Sequence, residues 1–141
     1  MIHFLLDTNI LSEFSRIGEP NPNVSLWLKA ANDEQLFTSD LTFAEIRRGI
    51  ELLAPGKRRS QLESWQQDFG ASFDTRLLPV TKSIADRWAT LSAEAQKQGI
   101  QISNFDGLIA ATAIEHGLTL ATRNVKDFRF LGLDIVNPWE S

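Results

Sequence analysis

Two hydrophobic periods alternate along this chain. Short apolar runs of strand character occur at Phe4-Leu5-Leu6, Leu36 to Ser39, Leu77 to Val80, Leu118 to Thr122 and Asp134 to Val136, with helical repeats between most of them. Thr8 to Ser15 reads as a short helix. Asn21-Pro22 supplies an N-cap and a proline at the first helical position, and the helix that follows runs to about Ala31, turning Val24, Trp27, Leu28 and Ala31 inward. Ser39 or Asp40 caps a helix to about Leu53, which Pro55-Gly56 breaks. The next helix runs from about Lys57 to Phe69, with Leu62, Trp65 and Phe69 on one face. Thr81 caps a helix carrying Ile84, Trp88, Leu91 and Ala95 at helical spacing, which Gly99 ends. Ser103 to His116 is a further helix with Gly117 as a left-handed cap, and Val125 to Phe130 predicts a last short one. Strands alternating with helices predict an α/β fold with a mainly parallel sheet of four or five strands. In such sheets the functional crevice lies beyond the carboxyl ends of the strands. Asp7, directly after the first strand, and Asn124 and Asp127, after the fourth, are placed to share one rim.

Composition narrows the class. With 141 residues, 43% hydrophobic and 23% charged, the chain reads as a single folded domain over 1–141 rather than a disordered segment. No apolar run approaches the ~18 residues of a membrane span. Met1 to Leu6 lacks the basic region and cleavage site of a signal peptide, so the expected location is cytoplasmic, away from membranes. The absence of cysteine excludes disulfides and thiolate metal sites. Only His3 and His116 are available for imidazole chemistry, which leaves little material for a zinc site or a histidine general-base pair. A net charge of −4 argues against a charge-driven nucleic-acid binder, but suits an enzyme with a carboxylate-lined centre.

Four segments carry acids or amides in notable places, and each has a plainer reading. Asp7 ends a strand, where it can enter the crevice or merely cap the next helix. Glu45 lies off the Phe43, Ile46, Ile50 and Leu53 stripe of its helix, in a row with Leu41 and Leu52, and is either half-buried or at an interface, or else a snorkelling or solvated glutamate. Asp106 shares a face with Ile109, Ala110 and Ala113, an unusual place for an unpartnered acid, yet Ser103 to Asp106 also has capping-box spacing. The small residues Gly107, Ala110, Ala111 and Ala113 predict close helix approach there. Asn124 and Asp127 are further oxygen donors, or belong to a turn after the fourth strand. The combination carries more than any member. Two carboxylates about 5 Å apart at an effective dielectric of ~20 repel by roughly 3 kcal/mol, so a cluster persists only with protons or cations to neutralise it. Hard oxygen donors without Cys or His select Mg²⁺ or Mn²⁺, ions suited to phosphoryl displacement.

Leu6-Asp7-Thr8-Asn9-Ile10, Ala44-Glu45-Ile46-Arg47-Arg48-Gly49-Ile50, Asp106-Gly107-Leu108-Ile109-Ala110-Ala111-Thr112-Ala113 and Ala121-Thr122-Arg123-Asn124-Val125-Lys126-Asp127-Phe128 follow one another in order and spacing, with Asn137-Pro138-Trp139 at the close. In these pieces the sequence resembles the PIN-domain ribonucleases over nearly its whole length, and within them the VapC-type toxins of VapBC type II toxin–antitoxin systems. The resemblance implies a three-layer α/β/α sandwich and a metal-dependent endoribonuclease, with transfer RNA a common target of such toxins. It implies metal-binding acids at Asp7, Glu45 and Asp106, and support from Thr8, Asn9 and Thr122. Many relatives carry a fourth acid directly after the Thr-Arg pair, where this chain has Asn124; Asp127, three residues on, is the substitute candidate for that catalytic position. The family further implies a homodimer and a VapB-like antitoxin whose tail covers the acidic pocket, with operator DNA bound only through the antitoxin.

Arg47, Arg48, Lys57, Arg58 and Arg59 form a basic stretch that reads either as a contact for RNA phosphates or an acidic antitoxin segment, or as a solvated helix face. Trp27, Trp65 and Trp88 stand at core spacings and read as packing rather than base-stacking platforms. Two other functions stay open: a catalytically weakened scaffold that serves mainly as an antitoxin-binding co-repressor, and a metal-dependent phosphatase or DNA nuclease. The lack of an Asp-x-Asp pair after the first strand weakens the phosphatase.

Overall fold

The computed structural model describes residues 1–15 and 20–140. Among them a five-stranded sheet forms in the order β3-β2-β1-β4-β5, with every neighbouring pair parallel. The strands are β1 (Phe4–Leu6), β2 (Leu36–Ser39), β3 (Leu77–Leu78), β4 (Thr119–Ala121) and β5 (Ile135–Val136). The helices are α1 (Thr8–Phe14), α2 (Pro22–Ala30), α3 (Asp40–Glu51), α4 (Lys57–Phe73), α5 (Lys82–Lys97), α6 (Asn104–His116) and α7 (Val125–Phe128).

Successive strand residues point to opposite faces, and here both faces are covered. Leu5 and Leu120 pack with Ile109, Ala110, Ala113 and Ala95 of α6 and α5. Leu6 and Ala121, one residue on, pack with Ile10, Leu11, Val24, Phe43 and Phe73 of α1 to α4. A sheet buried on both faces needs strands that are apolar throughout, which is why the runs read as continuous rather than alternating. Three layers result.

Capping residues act where the sequence placed them. Asn21 Oδ1 accepts from the amides of Asn23 and Val24, Ser39 Oγ from Leu41, and Thr81 Oγ1 from Ile84. Helix α6 ends on Gly117 at φ 64°, a left-handed turn that glycine adopts without strain.

Several boundaries differ from expectation. Helix α4 continues past Phe69 to Phe73, because Gly70 lies against the Phe43 ring and the added turn buries Phe73. Strand β3 stops at Leu78 instead of Val80, since Pro79 has no amide to donate and Thr81 already starts the next helix. Strand β4 is Thr119–Ala121 rather than Leu118 to Thr122, although the Thr122 amide still donates to Val136. Helix α7 ends at Phe128, which is buried, whereas Phe130 is 65% exposed and anchors nothing. Among the described residues no helix is long and apolar enough to cross a membrane.

Candidate active site

The strand order reverses direction at β1: chain order runs outward to β2 and β3 on one side and jumps to β4 on the other. The crevice at such a switch point opens between the carboxyl ends of β1 and β4. Asp7 follows β1 and Thr122 follows β4. The Asp7 amide donates to the Ala121 carbonyl at 3.0 Å, so the ladder itself sets the two ends side by side.

Asp7 is only 6% exposed. Its Oδ1 accepts from the Thr8 amide at 2.8 Å and its Oδ2 from the Thr122 hydroxyl at 2.8 Å. The capping reading is thus realised: Asp7 starts α1, and its carboxylate lies at the carboxyl end of β1 beside Thr122. The Thr122 oxygen in turn accepts from Asn9 Nδ2 at 3.3 Å and from the Asn124 amide at 3.1 Å. With two donors already on its oxygen, its own proton is directed to Asp7. Asn9 Oδ1 accepts from the Arg123 amide at 3.3 Å, pinning the loop after β4 to the start of α1.

Glu45 is held from the same strand end. Thr8 Oγ1 donates to Glu45 Oε1 at 3.1 Å, leaving Oε2 for other partners. Asp106 stands in the first turn of α6, where its amide donates to Ser103 Oγ at 3.1 Å. Only that half of the capping box forms, so the Asp106 carboxylate is not spent on the Ser103 amide. Asp127 is exposed on α7, and its charge reaches both Asp7 and Asp106. Asn124 occupies the N-cap position of α7 without a side-chain cap bond, which removes the turn role expected for it.

The electrostatics unite these groups. Burial pushes the Asp7 carboxyl above its ordinary value of 3.8; the Thr122 and Thr8 donors oppose this, and the charges of Asp106 and Asp127 add to it. Glu45 is also raised, first by burial, against the Thr8 hydrogen bond and with the charges of Asp7 and Asp106. Asp106 is raised by burial, against Ser103 and with Asp127. Four acids from distant parts of the chain therefore share one field. Among the described residues no three acidic or imidazole side chains are grouped closely enough to hold a metal ion together. The donor set is nonetheless all oxygen and surplus in negative charge, which fits a hard divalent cation that keeps part of its water shell.

Three features were not anticipated. The Thr8–Glu45 hydrogen bond is a contact over 37 positions that no local pattern encodes. Two of the five residues of the basic stretch are neutralised, Arg47 and Arg59 each being paired to both Glu51 and Glu63, so at these two residues the solvated-face reading holds. Trp65 packs on Phe69, with ring centroids 5.3 Å apart, yet it also lines a cavity beside Thr8 and Glu45.

A three-layer parallel sheet with acids gathered at the β1/β4 switch point defines the class, and the PIN domain family model matches residues 4–131. The chain belongs to the PIN domain family. It is 39% identical over 137 residues to the VapC ribonuclease Y4jK of Sinorhizobium fredii, covering 96% of this chain and 97% of that one. It is 39% identical over 136 residues to toxin FitB of Neisseria gonorrhoeae, again covering 96% and 97%. Among solved structures, FitAcB from Neisseria gonorrhoeae superposes with a TM-score of 0.89 at 38% identity, over 98% of this chain and 99% of that one. VapBC2 from Rickettsia felis, bound to a DNA fragment from its promoter, superposes with a TM-score of 0.77 at 26% identity, over 97% and 98%.

Proposed function

We propose that this chain is the toxin endoribonuclease of a type II toxin–antitoxin module, that it hydrolyses RNA phosphodiester bonds with Mg²⁺ or Mn²⁺, and that a VapB-like antitoxin restrains it. The observation that carries the reading is the shared field of Asp7, Glu45, Asp106 and Asp127 at one crevice, in a chain whose near full-length relatives are named as a VapC ribonuclease and a toxin. The superposition on FitAcB and on a DNA-bound VapBC supports an antitoxin partner, with DNA reached through that partner.

Asp7, Glu45 and Asp106 are the residues that would hold the ion. When bound, a divalent cation neutralises these acids, activates water and stabilises charge on the phosphate oxygens. The chain's own groups do the rest. Thr122 and Thr8 fix both Asp7 oxygens, so this carboxylate enters the reaction already oriented. Thr8 fixes one Glu45 oxygen and leaves Oε2 to accept a proton or hold a water. Asp127 supplies negative charge at the edge, in the role many relatives give to an acid at the position of Asn124.

Incubating purified protein with RNA and matched DNA oligonucleotides, with Mg²⁺ or with EDTA, tests this. RNA cleavage that EDTA stops, and that Asp7→Asn and Asp106→Asn abolish while circular dichroism is unchanged, is the expected result. Wild-type rates in either variant would refute the assignment, and preferential DNA cleavage would reassign the substrate. The weakened co-repressor reading rests on Asn124 alone. It is disfavoured because Asp127 delivers an acid's field to the same carboxylates.

A further inference from the structure

A cavity of about 210 Å³ opens between α1, α3 and α4, lined by Thr8, Ser12, Glu45, Ile46, Leu62 and Trp65. We propose that it is a nucleobase subsite, which takes the unpaired base of the RNA substrate next to the cleaved bond and stacks it on Trp65. This rests on the ribonuclease reading and adds to it where the substrate lies.

Continuity with the carboxylates is the first argument. Thr8 and Glu45, joined by a 3.1 Å hydrogen bond, line the cavity and belong to the acidic crevice at the same time. A phosphate joined to those acids by a divalent cation would bring the neighbouring base to the opening that Thr8 and Glu45 line. Chemistry is the second. Indole surface is a stacking platform that accepts any base, and Trp65 is half-buried, with part of its ring against Phe69. Among the described residues the Ser12 hydroxyl has no partner, its carbonyl alone being used by Ser15, so it is free to bond a base edge.

Gly49 is the third argument. It sits inside α3, where glycine weakens a helix, yet its backbone is ordinary and a Cβ there would meet nothing within 4 Å. No packing demand keeps the position small. A side chain at this residue, which also lines the cavity, would project into the space a base needs. The glycine keeps the subsite open.

The test is a cleavage series on single-stranded RNA oligonucleotides carrying one abasic residue, moved in turn along the positions flanking the cut. Wild type is expected to show a KM roughly ten-fold or more higher when the flanking base is missing, in line with the usual worth of one stacked base. Trp65→Ala and Gly49→Leu are expected to raise KM for intact RNA to the abasic level with kcat little changed, and Trp65→Phe to keep most of the discrimination. Gly49→Leu guards against misfolding as the explanation, because it replaces a poor helix former and its melting temperature is expected to rise. Undiminished discrimination in Trp65→Ala and Gly49→Leu overturns the subsite while leaving the ribonuclease reading intact. Unchanged RNA kinetics together with weakened binding of the antitoxin's C-terminal peptide assigns the cavity to the antitoxin and overturns the proposal. Failure of wild type to cut any RNA removes the ribonuclease reading and the subsite with it.

Discussion

Thr122 Oγ1 donates to Asp7 Oδ2 at 2.8 Å across the seam between β1 and β4, joining residues 115 positions apart. Both groups are buried, so this hydrogen bond works at low dielectric and against a costly alternative, a buried carboxylate short of a donor. Thr122→Val keeps the shape and deletes the donor. Denaturant unfolding is expected to show a loss of about 1–3 kcal/mol. With that opposing hydrogen bond gone, the Asp7 carboxyl rises further, so the acid limb of the cleavage pH profile should move to higher pH. An unmoved acid limb, measured at a fixed sub-saturating Mg²⁺ concentration where protons compete with the cation for Asp7, would count against this role for Thr122.

The acids also set the pH dependence of stability. Asp7, Glu45 and Asp106 all have folded values raised above their ordinary values of 3.8, 4.5 and 3.8, burial being the largest cause of each. A raised acid binds its proton more tightly in the folded than in the unfolded chain. Folding is therefore penalised above the raised values, and the penalty disappears as the pH falls through them towards the ordinary values. In EDTA, the contribution of these groups should make the melting temperature rise as the pH is lowered from neutral through the raised values towards the ordinary ones. Asp106→Asn should flatten that slope. Cations should do at neutral pH what protons do in acid: Mg²⁺ at a hundred times its dissociation constant stabilises by about 2.7 kcal/mol, which is roughly 5–10 °C at this size. A slope of the opposite sign in EDTA, identical in wild type and Asp106→Asn, would remove these carboxylates as its source.

Asp127 and Asn124 separate in their expected effects. Only Asp127 carries charge to Asp7 and Asp106. Asp127→Asn should raise the Mg²⁺ concentration for half-maximal cleavage by roughly 10–100-fold, the range seen for groups that support metal ligands. Asn124→Asp should lower it, and should restore the Asp127→Asn variant. If Asp127→Asn cleaves with wild-type metal dependence, the fourth acidic role belongs elsewhere.

Gly107 tests the packing beneath Asp106. A Cβ at this position would stand 2.8 Å from Trp88 Cδ1 and 3.0 Å from Trp88 Nε1, closer than packed atoms allow. Gly107→Ala should cost about 1–3 kcal/mol through overpacking, despite alanine's better helix propensity. Trp88→Leu in the same chain should recover part of the loss. Trp88 Nε1 is buried without a hydrogen-bond partner, so Trp88→Phe removes an unsatisfied donor and should be nearly neutral. Melting curves of the two single variants and the double variant decide this.

The sequence carried much of this plan because its strongest patterns are local. Apolar runs ended by Asp7, Ser39 and Thr122 mark strand ends, and the capping residues Asn21, Thr81 and Ser103 mark helix starts, so order, type and parallel character were readable. The four acids stood out only in combination, since each has a plainer reading within its own segment. What escaped depends on tertiary contact. Phe73 extends α4 because a core awaits it, next to the Phe43 ring against which Gly70 also lies. Arg47 and Arg59 were open to either reading until the chain returned Glu63 to meet Glu51. Trp65 has the spacing of a packing residue and does pack, but spacing says nothing about what its other surface faces.

The crevice draws on residues 7, 45, 106, 122 and 127, and its central seam exists only after β4 has been laid beside β1. A chain still growing on the ribosome has the first two acids long before the others and cannot join them into one centre. Under the ribonuclease reading, this enzyme stays harmless to the messenger that encodes it and to the machinery making it until most of its length has emerged. Competence then waits for the β1–β4 seam to close, and a restraining partner that reads the finished crevice has nothing to bind before that.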